Sequence, residues 1–260
     1  MSRMRPAMLL GIAVSLALLA TACATKKSDW VSDPKKRSEA AQINMQLGID
    51  YFRQGDLQQA KDKLDRSLDQ DPRNAMTHMA AGLLYDRLGE ADKAEKHFER
   101  AVDLDPKNPD IRNNYAVFLC RHDKYERGEK QALAAITDPL YKTPEAALYN
   151  AGNCARNGGD APRAELYFRR ALSLSPRFAP ALLDMAGIDF QNKNYLAARG
   201  FLERYMAAQT PTPAALLLAI KIEHALGNRA MEGDYARRLT SEYPTADETR
   251  QYLEASRASK

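Results

Sequence analysis

The sequence lacks the features of several protein classes. Its longest apolar run, from Ala7 to Ala20, is shorter than the roughly 20 residues that a membrane-spanning helix needs. It contains no phosphate-binding loop, no GxSxG nucleophile elbow and no HExxH zinc motif. The formal net charge is only +4, and two of the positive charges, Arg3 and Arg5, precede the apolar run. These absences argue against a spanning protein, an enzyme of those types and a nucleic-acid partner.

The first 22 residues are typical of a secretory leader, with a positively charged start, an apolar core and the small residues Thr21 and Ala22 at its end. Leu19 to Cys23 resembles a bacterial lipobox, whose cysteine becomes the lipidated first residue of the mature protein. The alternative is a short anchor or a buried N-terminal helix. We expect residues 1–22 to be removed and Cys23 to carry acyl chains that hold the protein at a membrane.

Residues 23–40 are polar and are predicted to form a lipid-anchored tether. Between Lys26 and Ala40 lie four lysines and one arginine, a composition that suits contact with anionic headgroups. Trp30, the only tryptophan, suits either the lipid interface or a neighbouring helix. The residues that follow Cys23 begin with Ala24 and not with aspartate, which favours sorting to the outer membrane.

The rest of the chain repeats with a period of 34 residues. Residues 46–72 align with residues 80–106, and residues 151–176 form a third clear copy. The positions that recur 34 apart are two glycines, a tyrosine, an alanine and a proline: Gly48 and Gly82, Tyr51 and Tyr85, Gly55 and Gly89, Ala60 and Ala94, Pro72 and Pro106. This is the tetratricopeptide signature, and it predicts an all-α, right-handed superhelix of about six helix-turn-helix repeats.

The period also predicts where the repeats begin and end. The third repeat is two residues longer than the period, and the third, fifth and sixth repeats are degenerate. Gly128 holds the place of the mid-repeat alanine in the third repeat, and Glu232 holds it in the sixth. Residues 247–260 are predicted to be a capping helix or a tail. The six predicted repeats within 41–246 are 41–74, 75–108, 109–144, 145–178, 179–212 and 213–246.

Cys120 and Cys154 are predicted to lie near the ends of the first helices of two neighbouring repeats. Neighbouring repeats stack, so the two sulfur atoms can come within disulfide range, and the leader directs the chain to an oxidising compartment. The alternative is two buried free thiols. With His122 these cysteines supply only three metal ligands, whereas a closed zinc site takes four. We therefore expect no metal, no cofactor and no enzymatic activity.

Function is expected on the concave face, which the first helix of each repeat lines. In the first two repeats this face carries apolar residues, while Leu47, Gly48 and Tyr51 are assigned to helix packing. Farther along it becomes polar, with asparagines suited to bonding a peptide main chain. The alternatives are that the tether or a tight superhelix covers the apolar patch, and that the asparagines join helices. The predicted partner-binding groove comprises Met45, Ile49, Phe52, Met76, Met79, Leu83, Asn113, Tyr149 and Asn153.

Taken together, the lipobox, the six repeats and the segments NNYAVFLC and YNAGNCA resemble the type IV pilus biogenesis lipoproteins PilF and PilW over essentially the full length. The resemblance implies a pilotin that is lipid-anchored in the outer membrane, with its repeats facing the periplasm. It implies that the partner is the secretin subunit of the type IV pilus, whose localisation and multimer assembly the protein promotes, and hence a role in twitching motility. It also implies a Cys120–Cys154 disulfide, and no nucleic acid or small-molecule substrate. The alternative is a scaffold lipoprotein of another envelope machine, such as outer-membrane protein insertion or cell-wall synthesis.

Overall fold

The structure, a computed structural model, describes residues 33–258. The predicted leader, the predicted lipidation site Cys23 and Trp30 lie outside the described residues. Over the described range the chain forms thirteen α-helices and no strand. Its contacts divide it into two compact units, one ending at Arg73 and one beginning at Asn74.

The first unit is a pair of helices, α1 (Pro34–Gln54) and α2 (Leu57–Gln70). Asp33 caps α1, because its side chain accepts hydrogen bonds from the backbone N–H groups of Lys35 and Lys36. Pro34 occupies the first helical position, where a backbone N–H is not needed. Residues 34–40, which the sequence assigns to the tether, are helical and form the first turns of α1, because Asp33 and Pro34 start the helix upstream of the repeat.

Close packing joins the two helices of the first unit. A Cβ atom on Gly48 would lie 2.7 Å from Cγ of Leu64, so only glycine lets α2 approach α1 at this point. The hydroxyl of Ser67 donates to the carbonyl oxygen of Ala41 at 2.8 Å, and Ser67 is fully buried. The small residues of the repeat signature thus set the distance between the helices.

The second unit continues the alternation of helices at the same period. Its first helices begin at Ala75, Pro109, Pro144, Ala179 and Pro213, and a last helix packs on the final pair. Of the two forms predicted for the C-terminus, the structure has the helix, which extends to residue 258. The eleven helices are α3 (Ala75–Arg87), α4 (Ala91–Leu104), α5 (Pro109–Arg121), α6 (Tyr125–Ala135), α7 (Pro144–Asn157), α8 (Ala161–Leu174), α9 (Ala179–Gln191), α10 (Tyr195–Ala208), α11 (Pro213–Ala225), α12 (Arg229–Glu242) and α13 (Asp247–Ala258).

A residue with positive φ stands between the two helices of every described helix pair. Left-handed backbone favours glycine, and four of these six residues are glycines. Asp123 and Lys193 occupy the same place in the third and fifth pairs, with φ of 60° and 62°. The glycines are Gly55, Gly89, Gly159 and Gly227.

The core of the second unit follows the repeat signature. Gly82 lies against the ring of Phe98, and Gly152 lies against the ring of Phe168, and both rings are fully buried. Between residues 33 and 258, no helix has the combination of length and hydropathy needed to cross a membrane. The all-α tetratricopeptide fold predicted from the period is confirmed.

Candidate partner-binding groove

The apolar part of the predicted groove in the first unit lies on α1. Met45, Ile49 and Phe52 follow one another at spacings of four and three residues, so they share one side of the helix. All three side chains are half-buried. They therefore form an apolar strip that remains partly open to solvent.

Leu47 does not have the packing role that the repeat pattern predicts for it. It is 40% exposed, and Ile43, four residues earlier, is 61% exposed. The side of α1 that meets α2 is formed by Ala41, Asn44 and Gly48, and Asn44 donates to the side-chain oxygen of Gln70 at 3.0 Å. α1 thus has apolar residues on two sides in addition to its packing side.

In the second unit, the methionines predicted for the groove are engaged by asparagines. The amide nitrogen of Asn114 lies 3.7 Å from the sulfur of Met79, and that of Asn108 lies 3.9 Å from the sulfur of Met76. Met79 is only 8% exposed, so it offers a partner little surface. Met76 and Leu83 are half-buried and remain the accessible apolar groups of α3.

The polar part of the predicted groove lies on α5 and α7, and its asparagines already have hydrogen-bonding partners. Asn150 donates to the side-chain oxygen of Asn113 at 2.9 Å, which joins the two helices. The side-chain oxygen of Asn153 accepts from Arg156 at 2.7 Å. For Asn113 the structure therefore has the inter-helix role that was the alternative to peptide binding.

Tyr149 is held between two aromatic rings. Its ring centroid lies 5.4 Å from that of Phe168 and 5.6 Å, edge on, from that of Phe178. Burial, assisted by the carboxylate of Asp184, raises the pKa of the Tyr149 phenol to about 12. The phenol is therefore neutral at physiological pH, and its hydroxyl already has hydrogen-bonding partners in Asp184 and Asn153.

Two aspartates, one on α3 and one on α9, each hold an arginine of the neighbouring first helix at the polar part of the groove. Asp86 accepts from Arg121 and from the ring nitrogen of His122, the latter at 2.7 Å, and its side chain is only 6% exposed. Asp184 accepts from Arg156 at 2.5 Å. Both arginines border a cavity of about 270 Å³ lined by Val117, Cys120, Arg121, Asn150, Asn153, Arg156 and Asn157.

Cys120 and Cys154 meet beside this cavity. The structure joins their sulfur atoms as a disulfide between α5 and α7, with 5.2 Å between the Cα atoms. Cys154 is fully buried and Cys120 is 8% exposed. The bond thus ties together two of the first helices that carry the polar part of the groove.

A further cavity near the C-terminus lies outside the groove predicted from the sequence. It has a volume of about 550 Å³ and lies between α9, α11, α12 and α13. The signal was present, since Phe190 and Leu217 stand at groove positions of the fifth and sixth repeats, but α13 had to be placed to form the wall. The cavity is lined by Phe190, Leu217, Ile220, Lys221, His224, Ala225, Glu232, Gln251, Tyr252, Ala255 and Ser256.

Comparison with known proteins identifies relatives along nearly the whole chain. The tetratricopeptide-repeat family matches residues 45–109 and 119–182, and a second tetratricopeptide description matches residues 97–130. The type IV pilus assembly protein PilF of Pseudomonas aeruginosa is 27% identical over 238 residues, which cover 91% of this chain and 94% of the relative. An uncharacterised protein of Haemophilus influenzae is 29% identical over 143 residues, 55% of this chain and 78% of that protein.

Solved structures of type IV pilus proteins are also similar to this chain over most of its length. The Pseudomonas aeruginosa PilF structure superposes with a TM-score of 0.75 at 26% identity, covering 84% of this chain and 99% of that one. The structure of PilW, described as a widely conserved type IV pilus biogenesis factor, has a TM-score of 0.74 at 30% identity and covers 82% and 98%. The structure of MamA, at 18% identity and a TM-score of 0.54, is similar in fold alone.

Proposed function

This chain belongs to the family of PilF and PilW, the tetratricopeptide-repeat proteins of type IV pilus biogenesis, and we propose that it acts in that process as a lipid-anchored pilotin. It binds the secretin subunit of the type IV pilus and promotes the localisation of that subunit to the outer membrane and its assembly into multimers. The observation that carries this proposal is similarity along almost the full length of both PilF and PilW. The protein works by binding another protein and performs no catalysis.

The proposed mechanism separates anchoring from binding. The acyl chains on Cys23 hold the protein in the outer membrane with its repeats in the periplasm. Met45, Ile49 and Phe52 supply apolar contacts for a secretin segment, and flexible methionine side chains adapt to the shape of such a segment. Each bound subunit is thereby held at the membrane in which the multimer assembles.

Deletion of the gene tests the proposal. We expect the heat-stable secretin multimer to be lost, or the secretin to remain in the inner membrane, when membranes are fractionated and the secretin is detected by immunoblot. Expression of the wild-type chain should restore the multimer. A normal secretin multimer in the outer membrane of the deletion strain would contradict the proposal and favour another envelope machine.

Charge substitutions test the groove separately. Met45→Glu with Phe52→Glu should abolish secretin binding, because two carboxylates on the apolar strip must be desolvated when the partner binds. Leu166→Glu with Leu196→Glu is the matched control, since these leucines are 54% and 72% exposed on α8 and α10. Circular dichroism should show unchanged helical content and melting temperature for both variants. Secretin binding that survives in the Met45 and Phe52 variant would exclude this strip as the site.

A further inference from the structure

One side of α1 exposes aliphatic side chains at positions that are buried elsewhere in the chain. Leu47 is 40% exposed. At the same position of the five following repeats the residue is never more than 2% exposed. These counterparts are Ala81, Tyr115, Ala151, Met185 and Ala219.

Ile43, one turn earlier on α1, is also more exposed than its counterparts in the other repeats. It is 61% exposed, whereas its counterparts in the five following repeats are fully buried. Those residues are Thr77, Ile111, Ala147, Ala181 and Ala215. Ile43 and Leu47 are four residues apart and share one side of α1, which we name the stacking face.

The second unit shows what covers this position when it is buried. The ring of Phe98 on α4 stacks on the ring of Tyr115, the counterpart of Leu47, with 5.5 Å between the centroids. α4 is the second helix of the preceding repeat, and a turn of four residues joins it to α5, so the two helices run antiparallel. The stacking face of α1 therefore corresponds to a surface that, in the second unit, packs against an antiparallel helix.

With the predicted cleavage before Cys23, the segment ahead of Asp33 would be shorter than such a helix. It would have the ten residues 23–32, whereas α2, α4 and α8 each have 14 residues and need a turn besides. Two charged residues border the stacking face at opposite ends, Lys36 in the first turn of α1 and Asp50 in its last third, and each is in an exposed ion pair, Lys36 with Asp33 at 4.0 Å and Asp50 with Arg53 at 3.7 Å. An antiparallel helix would place its negative C-terminal end near Lys36 and its positive N-terminal end near Asp50, which is the orientation that the helix dipole favours.

We propose that the partner protein donates an amphipathic α-helix that stacks antiparallel on Ile43 and Leu47 and thereby extends the repeat array by one helix. This binding mode rests on the proposed function for the identity of the partner, the secretin subunit. It uses a side of α1 other than the strip of Met45, Ile49 and Phe52. The donated helix presents an aromatic or aliphatic residue to Leu47, as Phe98 does to Tyr115.

Site-specific photocrosslinking tests the geometry in the native, full-length protein. p-Benzoylphenylalanine is incorporated at position 43 or 47 in the original organism, and mass spectrometry identifies the crosslinked residues. We expect both positions to reach one segment of the secretin, at sites three or four residues apart and in reverse order, as an antiparallel helix requires. Crosslinks only to phospholipid, only to residues 23–32, or to nothing would overturn the proposal.

A binding measurement separates this proposal from the proposed function. The purified mature chain carrying Cys23→Ser is titrated with the periplasmic part of the secretin. Ile43→Asp with Leu47→Asp should weaken binding at least tenfold without lowering the melting temperature, and Leu166→Asp with Leu196→Asp should leave binding unchanged. Unchanged binding by the Ile43 and Leu47 variant refutes the stacking face but leaves the partner in place. A helical crosslink to a protein other than the secretin supports the stacking face and refutes the partner.

Discussion

Gly128 lies against the disulfide-bonded sulfur of Cys154: a Cβ atom on Gly128 would be 3.1 Å from that sulfur, and it would also meet the sulfur of Cys120. Four other repeats carry an alanine at the position of Gly128, and in each of them it is buried. The disulfide thus fills the space that a methyl group fills elsewhere. The four alanines are Ala60, Ala94, Ala164 and Ala198.

Gly128→Ala should therefore destabilise the oxidised protein by about 1–3 kcal/mol, the usual cost of overpacking a core. In a chain that also carries Cys120→Ala and Cys154→Ala the cost should shrink, because both sulfur atoms are gone and only the backbone carbonyl oxygen of Ala116, 3.0 Å away, still lies close to the added Cβ. Urea unfolding of the four proteins measures this coupling. Gly200→Ala is the control, since no atom lies within 4 Å of its added Cβ, and it should stabilise both backgrounds. Equal effects of Gly128→Ala in both backgrounds would show that the disulfide does not occupy that space.

The disulfide itself should stabilise the second unit. Cys120→Ala with Cys154→Ala is expected to lower the free energy of unfolding by about 2–4 kcal/mol, because the bond restricts the unfolded chain. Alkylation of the denatured, unreduced protein followed by mass spectrometry measures the oxidation state directly. Neither cysteine should be labelled before reduction. Labelling of both would show that the protein carries free thiols instead.

Replacement of Lys193 by glycine should stabilise the protein. Its φ of 62° lies in the region that a side chain disfavours, and the corresponding residue of four other turns is glycine. Lys193→Gly is expected to raise the free energy of unfolding by about 0.5–1 kcal/mol in thermal denaturation. Lys193→Ala removes the charge but keeps the strain, so it should leave stability nearly unchanged. Equal stabilisation of the alanine and glycine variants would show that backbone strain at Lys193 does not limit stability.

Glu223 and Arg199 form an ion pair in which the carboxylate is buried and the guanidinium is partly exposed. The carboxylate of Glu223 accepts from two nitrogens of Arg199, one at 2.8 Å, and its side chain is only 4% exposed. Glu223→Ala should destabilise by about 1.5–3 kcal/mol, because it removes two charge-assisted hydrogen bonds to Arg199, whose own side chain is 29% exposed. Asp234→Ala breaks a pair with Arg237 in which both side chains are more than half exposed, and it should change stability by less than about 1 kcal/mol. Similar losses of stability in the two variants would show that burial of the carboxylate does not increase the contribution of an ion pair.

Glu95 should make the free energy of unfolding depend on pH in the acidic range. Burial raises the pKa of its carboxyl, but hydrogen bonds and charge from Lys124 and Arg127 outweigh burial and hold the pKa below the usual range. A carboxyl with a lowered pKa stabilises the fold above the pKa of the unfolded chain, about 4.3, and this contribution is lost as pH falls through the lower, folded pKa.

Glu95→Gln should therefore lower stability at pH 7 and flatten its dependence on pH between about pH 5 and pH 3, measured by urea unfolding at each pH. Glu126→Gln, an exposed residue of α6, controls for the loss of one carboxylate. If the slopes of Glu95→Gln and the wild-type chain coincide over this range, the ion pairs of Glu95 do not contribute to acid sensitivity.

Much of the fold could be read from the chain because packing within a repeat is local. Gly48 and Leu64, or Gly82 and Phe98, lie within one period, so a recurring small residue and its large partner identify two helices in contact. The positive-φ turns follow the same period, even where Asp123 and Lys193 replace glycine. The first helix began earlier than its repeat because its cap, Asp33, lies outside the periodic pattern.

The sequence by itself therefore determined the repeat, its helices and the placement of Cys120 near Cys154, because each depends on residues a fixed distance apart. Only the tertiary structure decided which side chains are accessible, since exposure depends on what stands beside a helix and not on its own sequence. Leu47 has the position of buried residues and is exposed, whereas Met79 has a groove position and is covered with the help of Asn114. A repeat motif specifies the contacts within a repeat, but the surface left for a partner depends on what lies beside each helix in the folded protein.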